Sequence, residues 1–501
     1  MDSNKVLKLL ITTVIFVSLI SPTGKLQAQH RGDNLSFQGF GYKDNITTNA
    51  SAMGSAMTAV AGDVSSLFFN TAGLSRIDNI QISINGSQNN RQWWENQNYW
   101  PNRACVELPL YLEGLYIPLR ENSGRWNYEM YKDSNYIINA PQLGLDSYDK
   151  AAADWTNYKK EMGLKNVSIA VPFSLMDQKL VAGVSYLRTS INDYDRNDTY
   201  LYPFVNSYDY EQTIKTVNGI DTLVMDWNRF LRQRTGAMNN IVAGLSTEIV
   251  KNVMVGVGAK IQNGKSDDFQ SLVRVGDFHL IDAQKFKFFF VDSSTNTIGT
   301  SKYSSVAFNL GAMVEISKMK MGLKVDLPYT YTRDWNYTKT ISGADTSIQL
   351  MSGKDKVNVP AVFNVGISFQ PANSFLFSFN YEFAPYSKTT FELASADTAL
   401  RKWTDQNTIA FGIKYDWSDV ITLMAGYRAI PEVFVPDGAA IRDKGPGANS
   451  YNFGISANTF LGRIDLAYEY RAMRYYDSYY TNTNFVVENN STIMMGITYS
   501  F

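Results

Sequence analysis

The 501-residue chain contains one cysteine, Cys105, and two histidines, His30 and His279. A single cysteine forms no internal disulfide. Together with two histidines it falls short of the usual ligand set of a structural zinc site. Histidine-dependent catalysis also has little to work with. His30 lies beside a predicted cleavage point, and His279 follows Asp277-Phe278 in a long segment between predicted strands, where a solvated imidazole is the simplest reading. No nucleophile elbow or phosphate-binding loop occurs, and neighbouring carboxylates such as Asp267-Asp268 fall in polar segments. The sequence therefore reads as a non-enzyme with no cofactor or metal. The net charge is −1, so there is no basic field to attract nucleic acid. Beyond residue 28 no apolar run approaches the roughly 20 residues that a membrane helix needs.

Residues 1–28 have the pattern of a signal peptide. Lys5 and Lys8 supply the positive start, Leu9 to Ile20 forms the apolar run, and Ala28 offers a small residue at the cut. The mature chain is expected to begin at Gln29. The apolar run is too short for a spanning helix, and no cysteine at the cut marks a lipoprotein. The full chain carries 31 Tyr, 28 Phe and 9 Trp, yet mean hydropathy is only −0.22. Many aromatics in a chain that is not greasy overall suit strands with one apolar and one polar face.

That alternation is explicit in the last residues. Ile493, Met495, Ile497, Tyr499 and Phe501 are apolar, with Gly496, Thr498 and Ser500 between them, so successive side chains point to opposite faces. Upstream, Ile464, Leu466, Tyr468 and Tyr470 alternate with Asp465, Ala467, Glu469 and Arg471. Charges on the lipid side are costly, so Asp465 and Arg471 are expected to face a lumen. Six hairpins are predicted: 167–175 with 179–189, 239–248 with 253–263, 304–316 with 319–331, 361–370 with 374–384, 407–417 with 420–430, and 449–459 with 462–472. Short turns join each pair and long polar segments separate the pairs, the asymmetry of an outer-membrane barrel. With a terminal strand at 492–501 and one opening strand, the wall has fourteen strands. The opening strand is either 79–86 or 107–119, and the earlier one is preferred. The fold class is thus all-β, a transmembrane antiparallel barrel with residues 78–501 as the wall. Outer-membrane lipid is its first partner.

Residues 29–77 precede the wall. They include a stretch rich in Ala, Gly, Ser and Met, with Met53, Met57 and Val60 spaced as on a helix face. The stretch ends in Phe69, Asn70, Thr71, Ala72 and Gly73. This segment is too apolar for a solvated tail, and its small residues suit close packing inside a barrel as a helical hatch. The run from Met53-Gly54 through Ala59-Val60-Ala61-Gly62-Asp63 to Phe69-Asn70-Thr71-Ala72-Gly73-Leu74 resembles the N-terminal hatch of FadL-type outer-membrane transporters of long-chain fatty acids and aromatic hydrocarbons. Thr71 stands where that family has proline. Ile169–Phe173 with Ala182–Val184, Pro360 with Gly366, and Ala425–Arg428 resemble later strands, and fourteen is also the family's strand number. Related barrels of a protein-secretion pathway carry a similar hatch signature.

The resemblance implies passive uptake of hydrophobic small molecules. A ligand is captured outside, passes to a lumen pocket, and leaves sideways through a kink in the wall near the hatch. Candidate capture residues are Lys285, Phe286, Lys287, Phe288, Phe289 and Phe290, two cations among apolar rings, which suit an amphiphile with a carboxylate head. A small hairpin packing its own core explains the same residues. Trp93, Trp94, Tyr99 and Trp100 read either as an interface anchor or as a lid. Tyr499 and Phe501 resemble the signal read by the barrel-assembly machinery. The alternative function is a barrel that anchors or secretes proteins at the cell surface, and a weaker one is a general polar pore. Each reading places the chain in the Gram-negative outer membrane.

Overall fold

The structure, a computed structural model, describes residues 45–60, 62–96, 116–117, 127–129, 146–147, 154–202, 214–217, 220–281, 285–394, 403–434, 445–479 and 482–501. Its wall is a run of antiparallel neighbours. β1 is Gln81–Asn96, β2 Trp155–Leu175, β3 Gln178–Tyr202, β4 Ile220–Val250, β5 Val253–Ile281 and β6 Lys285–Ile316. β7 has two segments, Met319–Asp326 and Tyr329–Ser342, and so has β8, Ser347–Val359 and Val362–Ala372. β9 is Phe375–Ala384, β10 Gln406–Asp416, β11 Ile421–Pro431, β12 Gly447–Thr459, β13 Gly462–Tyr479 and β14 Asn482–Ser500. β14 pairs back onto β1, from Gln81↔Ser500 to Asn96↔Phe485. The fourteen strands therefore make a closed barrel.

The opening strand is the earlier candidate. Of the segment 107–119, Tyr116–Ile117 pairs with Asp146–Ser147 in a separate two-stranded sheet, and the rest lies outside the described residues. Alternation sets the two faces of the wall. In β9, Phe375, Phe377, Phe379 and Tyr381 are exposed while Ser378 and Asn380 are buried. In β13, Leu466 and Tyr468 face out, and Asp465, Glu469 and Arg471 are buried inward, as the cost of charge in lipid requires. Outward tyrosines mark the upper edge of the apolar band. The hydroxyls of Tyr186, Tyr381 and Tyr427 donate to Asn239, Asn407 and Asn449 on neighbouring strands, at 2.6, 2.7 and 2.7 Å. A greasy ring with a polar tip suits a membrane boundary.

Beyond that edge the structure departs from the sequence reading. Much of what reads as long polar loop continues as strand. β3 to β6 run for 25, 31, 29 and 32 residues, against the roughly 9–11 that cross a bilayer. The ladder persists because inward charges satisfy one another. Arg234 meets Asp268 at 2.8 Å, and Arg232 meets Asp193 at 2.7 Å. Arg333 bonds Asp355 at 2.9 Å. Asp268 also accepts from Ser266 and Tyr337, at 2.8 and 2.7 Å.

The hatch fills the lower lumen. Its helices are short: α1 is Thr48–Ala52, α2 Ser66–Phe69, and a 3₁₀ turn covers Thr71–Arg76. The stretch from Met53 to Val60, expected as a helix face, is instead a set of turns. Gly54 and Ser55 take φ of 62° and 63°, which a helix does not tolerate. Met53 and Met57 still pack together, against Met424, Ala467 and Met494 of the wall. The chain gives up its helix here because its backbone lies directly on the backbone of the wall. A Cβ added to Gly322 would lie 2.0 Å from the Thr58 carbonyl oxygen, on Gly426 2.2 Å from the Gly54 nitrogen, and on Gly256 2.6 Å from the Ala72 nitrogen. Inward glycines thus form the seat of the hatch. Replacing Gly322 or Gly426 by Val should dislodge the hatch and destabilise the protein by about 1–3 kcal/mol. Single-channel recordings in planar bilayers should show large conductance steps for Gly426→Val and few for the parent protein.

Candidate functional site

The hatch motif works as an anchor. The Asn70 Oδ1 accepts from the Ala72 amide at 3.2 Å, and its Nδ2 donates to the carbonyls of Thr58 and Ala312 at 2.8 and 3.0 Å. The Thr71 hydroxyl, fully buried, donates to Asn309 of β6 at 2.8 Å. Ala72 accepts from the Ser246 hydroxyl of β4, also at 2.8 Å, and the Gly73 amide donates to the Asn70 carbonyl at 2.9 Å. Where the family pattern has proline, Thr71 fixes the turn to the wall by a hydrogen bond. At the end of the barrel that carries the short turns, Arg463 donates to Asp63 at 3.0 Å, and Asn49 donates to the same carboxylate at 2.9 Å. Arg76 bonds Glu315 at 3.0 Å.

Above the hatch lies a cavity of about 370 Å³, within the range of small-molecule sites. Phe68, Phe69 and Thr58 form its floor. Ile191, Met238, Tyr331, Val357, Trp403 and Val433 pack together as its apolar wall. Two cations enter it near the floor. Lys324 Nζ donates to the Phe68 carbonyl at 3.2 Å and pairs with Asp326 at 2.8 Å. Lys260 makes no hydrogen bond or ion pair among the described residues. Arg428, at another side, is held by Glu469 at 3.0 Å. The chamber is amphipathic: opposite its apolar side it takes Lys260, Lys324 and Arg428 together with Glu382, Gln262 and Asn364.

Of the candidate hatch, capture and insertion-signal residues read from the sequence, only Phe69 lines this chamber. The run Lys285–Phe290 opens β6 and pairs with Gly276–Ile281 of β5, with Lys285–Lys287 also paired to Asn127–Glu129. It is a strand at the outer end of a hairpin, whereas the chamber takes Lys260 and Gln262 from the membrane end of β5. Trp93 is buried against Tyr194, centroids 5.6 Å apart, and Trp94 meets Phe485 at 6.0 Å; Tyr99 and Trp100 lie outside the described residues. Tyr499 and Phe501 are exposed and meet edge to face at 4.7 Å. Lys260 and Lys324 were not singled out from sequence. Their signal is a cation at an inward position of an otherwise apolar strand: Lys260 between Ala259 and Ile261, Lys324 between Leu323 and Val325.

No family model and no curated protein matches the sequence. Solved structures do. A FadL homologue from Pseudomonas aeruginosa superposes with a TM-score of 0.57 at 11% identity, over 92% of this chain and 99% of that one. The P. putida toluene transporter TodX gives 0.53 at 11% identity, over 90% and 98%. The monoaromatic hydrocarbon channel CymD gives 0.50 at 11%, over 93% and 99%. The chain has the FadL-type fold.

Among the described residues this FadL-type wall is interrupted in two places. The first is a window between β2 and β3. These strands pair only from Asn166↔Leu187 down to Leu175↔Gln178. Above that, side chains bridge them, with Asn192 donating to Glu161 at 2.8 Å. The space between, about 330 Å³, is lined by Lys160, Lys165, Arg188, Glu469, Asn490 and other mostly polar residues. The second is a notch across β7, β8 and β9. β7 breaks at Leu327-Pro328, β8 at Pro360-Ala361, and β9 ends before Pro385. Proline has no amide proton to give a ladder.

The latch between Asp63 and Arg463 predicts a pH response. Burial raises the Asp63 carboxyl, but Arg463 and the Ser65 hydroxyl and amide outweigh it and hold it below the usual carboxylate range. A depressed carboxyl contributes stability above its unfolded pKa, about 4, and loses it only as pH falls through the lower folded value. Pore closure by the hatch should therefore persist at pH about 5 and fail only in stronger acid. Asp63→Asn should leak at neutral pH; conductance against pH checks both.

Proposed function

We propose that this protein admits hydrophobic small molecules across the Gram-negative outer membrane, with long-chain fatty acids the leading class. The chamber carries the reading: an apolar wall ending at Lys260 and Lys324 suits a chain with a carboxylate head. The alkyl part gains about 0.8 kcal/mol for each CH₂ it buries. The head meets Lys260, which no described residue neutralises by direct contact, and a charge-assisted hydrogen bond there contributes about 1.5–3 kcal/mol. The hatch beneath blocks free flow of water and ions, so ligand moves by site binding and not through an open pore. What the similar solved structures are named for, toluene and monoaromatic hydrocarbons, supports a greasy cargo.

Lys260→Ala should weaken oleate binding by roughly tenfold, the equivalent of about 1.4 kcal/mol, and leave toluene binding within about twofold. Isothermal titration of the detergent-solubilised protein measures both. If neither a long-chain fatty acid nor an aromatic hydrocarbon binds, and cells that rely on the protein take up neither, the proposal is lost.

A further inference from the structure

We propose that the outward face of β3–β8, just beyond the apolar band, binds the phosphate-bearing headgroup of a glycolipid in the outer leaflet. The site lies on the outside of the barrel and does not depend on what the chamber carries.

Register sets its height. On the lipid side of β5 and β6 the last apolar pair is Ile261↔Val306, both exposed. Outward from it come Asn263↔Ser304 and then Lys265↔Lys302. Four residues at about 3.3 Å each, on strands tilted by about 40°, place these lysines roughly 10 Å beyond the apolar pair. Asn263 shares its row with Asn239, the acceptor of the Tyr186 hydroxyl. The lysines therefore stand one row outside the tyrosines. Short turns mark the periplasmic side of such barrels, so this row lies in the headgroup layer of the outer leaflet.

The charges there are incompletely matched. Arg188 and Lys356 occupy the row of Asn263, and Lys354 that of Lys302. All five cations are exposed. Asp334 meets Lys354 at 3.7 Å, and Glu392 meets Lys356 at 3.3 Å. Arg188, Lys265 and Lys302 form no ion pair among the described residues, and the nearby Asp267 is exposed one row further out. Lys265 and Lys302 face each other directly across the ladder, and like charges so placed destabilise a sheet. A phosphate between them answers both with charge-assisted hydrogen bonds. The acyl chains of the same lipid then run down beside Ile261, Val306 and Phe308. The other side of the barrel differs. On β9 to β12 the outward residues beyond the tyrosines, Phe383, Asn407, Ala429 and Asn449, carry no charge.

The test titrates the full chain in neutral detergent with lipid A bearing its phosphates and with lipid A stripped of them, and reads binding by thermophoresis. The parent protein should bind the phosphorylated lipid at least tenfold more tightly. Lys265→Gln with Lys302→Gln should abolish that preference, and Lys265→Arg with Lys302→Arg should keep it. Arg474→Gln, which removes an exposed cation of β13, should leave it within twofold. Without lipid the glutamine pair should melt no lower than the parent, since it relieves a repulsion. Equal affinity of the parent for both lipids overturns the proposal. So does a preference that survives in the glutamine pair or is lost equally in Arg474→Gln. A lower melting temperature of the glutamine pair also overturns it, because the lysines then serve the fold. Inorganic phosphate in hundredfold excess should not displace the lipid; if it does, the site takes a free anion and the lipid assignment falls.

Discussion

Main-chain hydrogen bonding in a medium without water is the constraint from which this structure follows. Every amide and carbonyl in the apolar band needs a partner within the protein. The chain meets that demand by pairing Gln81–Asn96 with the far end of its own sequence, so that neither the first nor the last strand is left as a free edge. Alternation follows at once, because one face of each strand then meets lipid and the other meets the lumen. So does the placement of charge: Asp465, Glu469 and Arg471 can only point inward. The notch shows how strong the rule is. Prolines withdraw donors from three neighbouring strands, and the break they make lies beside a chamber of the protein's own.

The lumen obeys a second constraint, that of space. A hatch of this length fits only where the wall carries no side chain. Glycine at the inward positions lets two backbones touch, and the serines and asparagines near them supply hydrogen bonds to the hatch carbonyls. The price is the lost helix at Met53–Val60. Turn geometry at Gly54 and Ser55 follows the shape of the wall and overrides local preference.

The sequence shows clearly what is local. Ile493 to Phe501 announces a strand by its own pattern, and six hairpins and the strand number follow by the same reading. Gly366 and Gly496 were visible as small residues between apolar ones; that they lie against Thr58 and Thr48 of the hatch was not, because the hatch reaches them across hundreds of positions. The outer halves of β3 to β6 read as loops, since Thr295, Asn296 and Thr297 are polar on both faces and leave no period to detect. Lys260 and Lys324 come together only through the register of β5, β6 and β7, and register is a property of pairs. The break at Pro328 hides inside a segment that otherwise alternates, and only the reversal of facing between Lys324 and Tyr331 betrays it.

The seam between β1 and β14 also dictates an order of events. Only a few residues separate the hatch from Gln81, so the hatch sits at the very lip of the last gap to close. Partners at that gap are distant in sequence, and such contacts form late. The hatch bonds strands on opposite sides of the lumen, through Thr71 to Asn309, Ser246 to Ala72 and Arg463 to Asp63. Its seat is therefore complete only once the two edges have met.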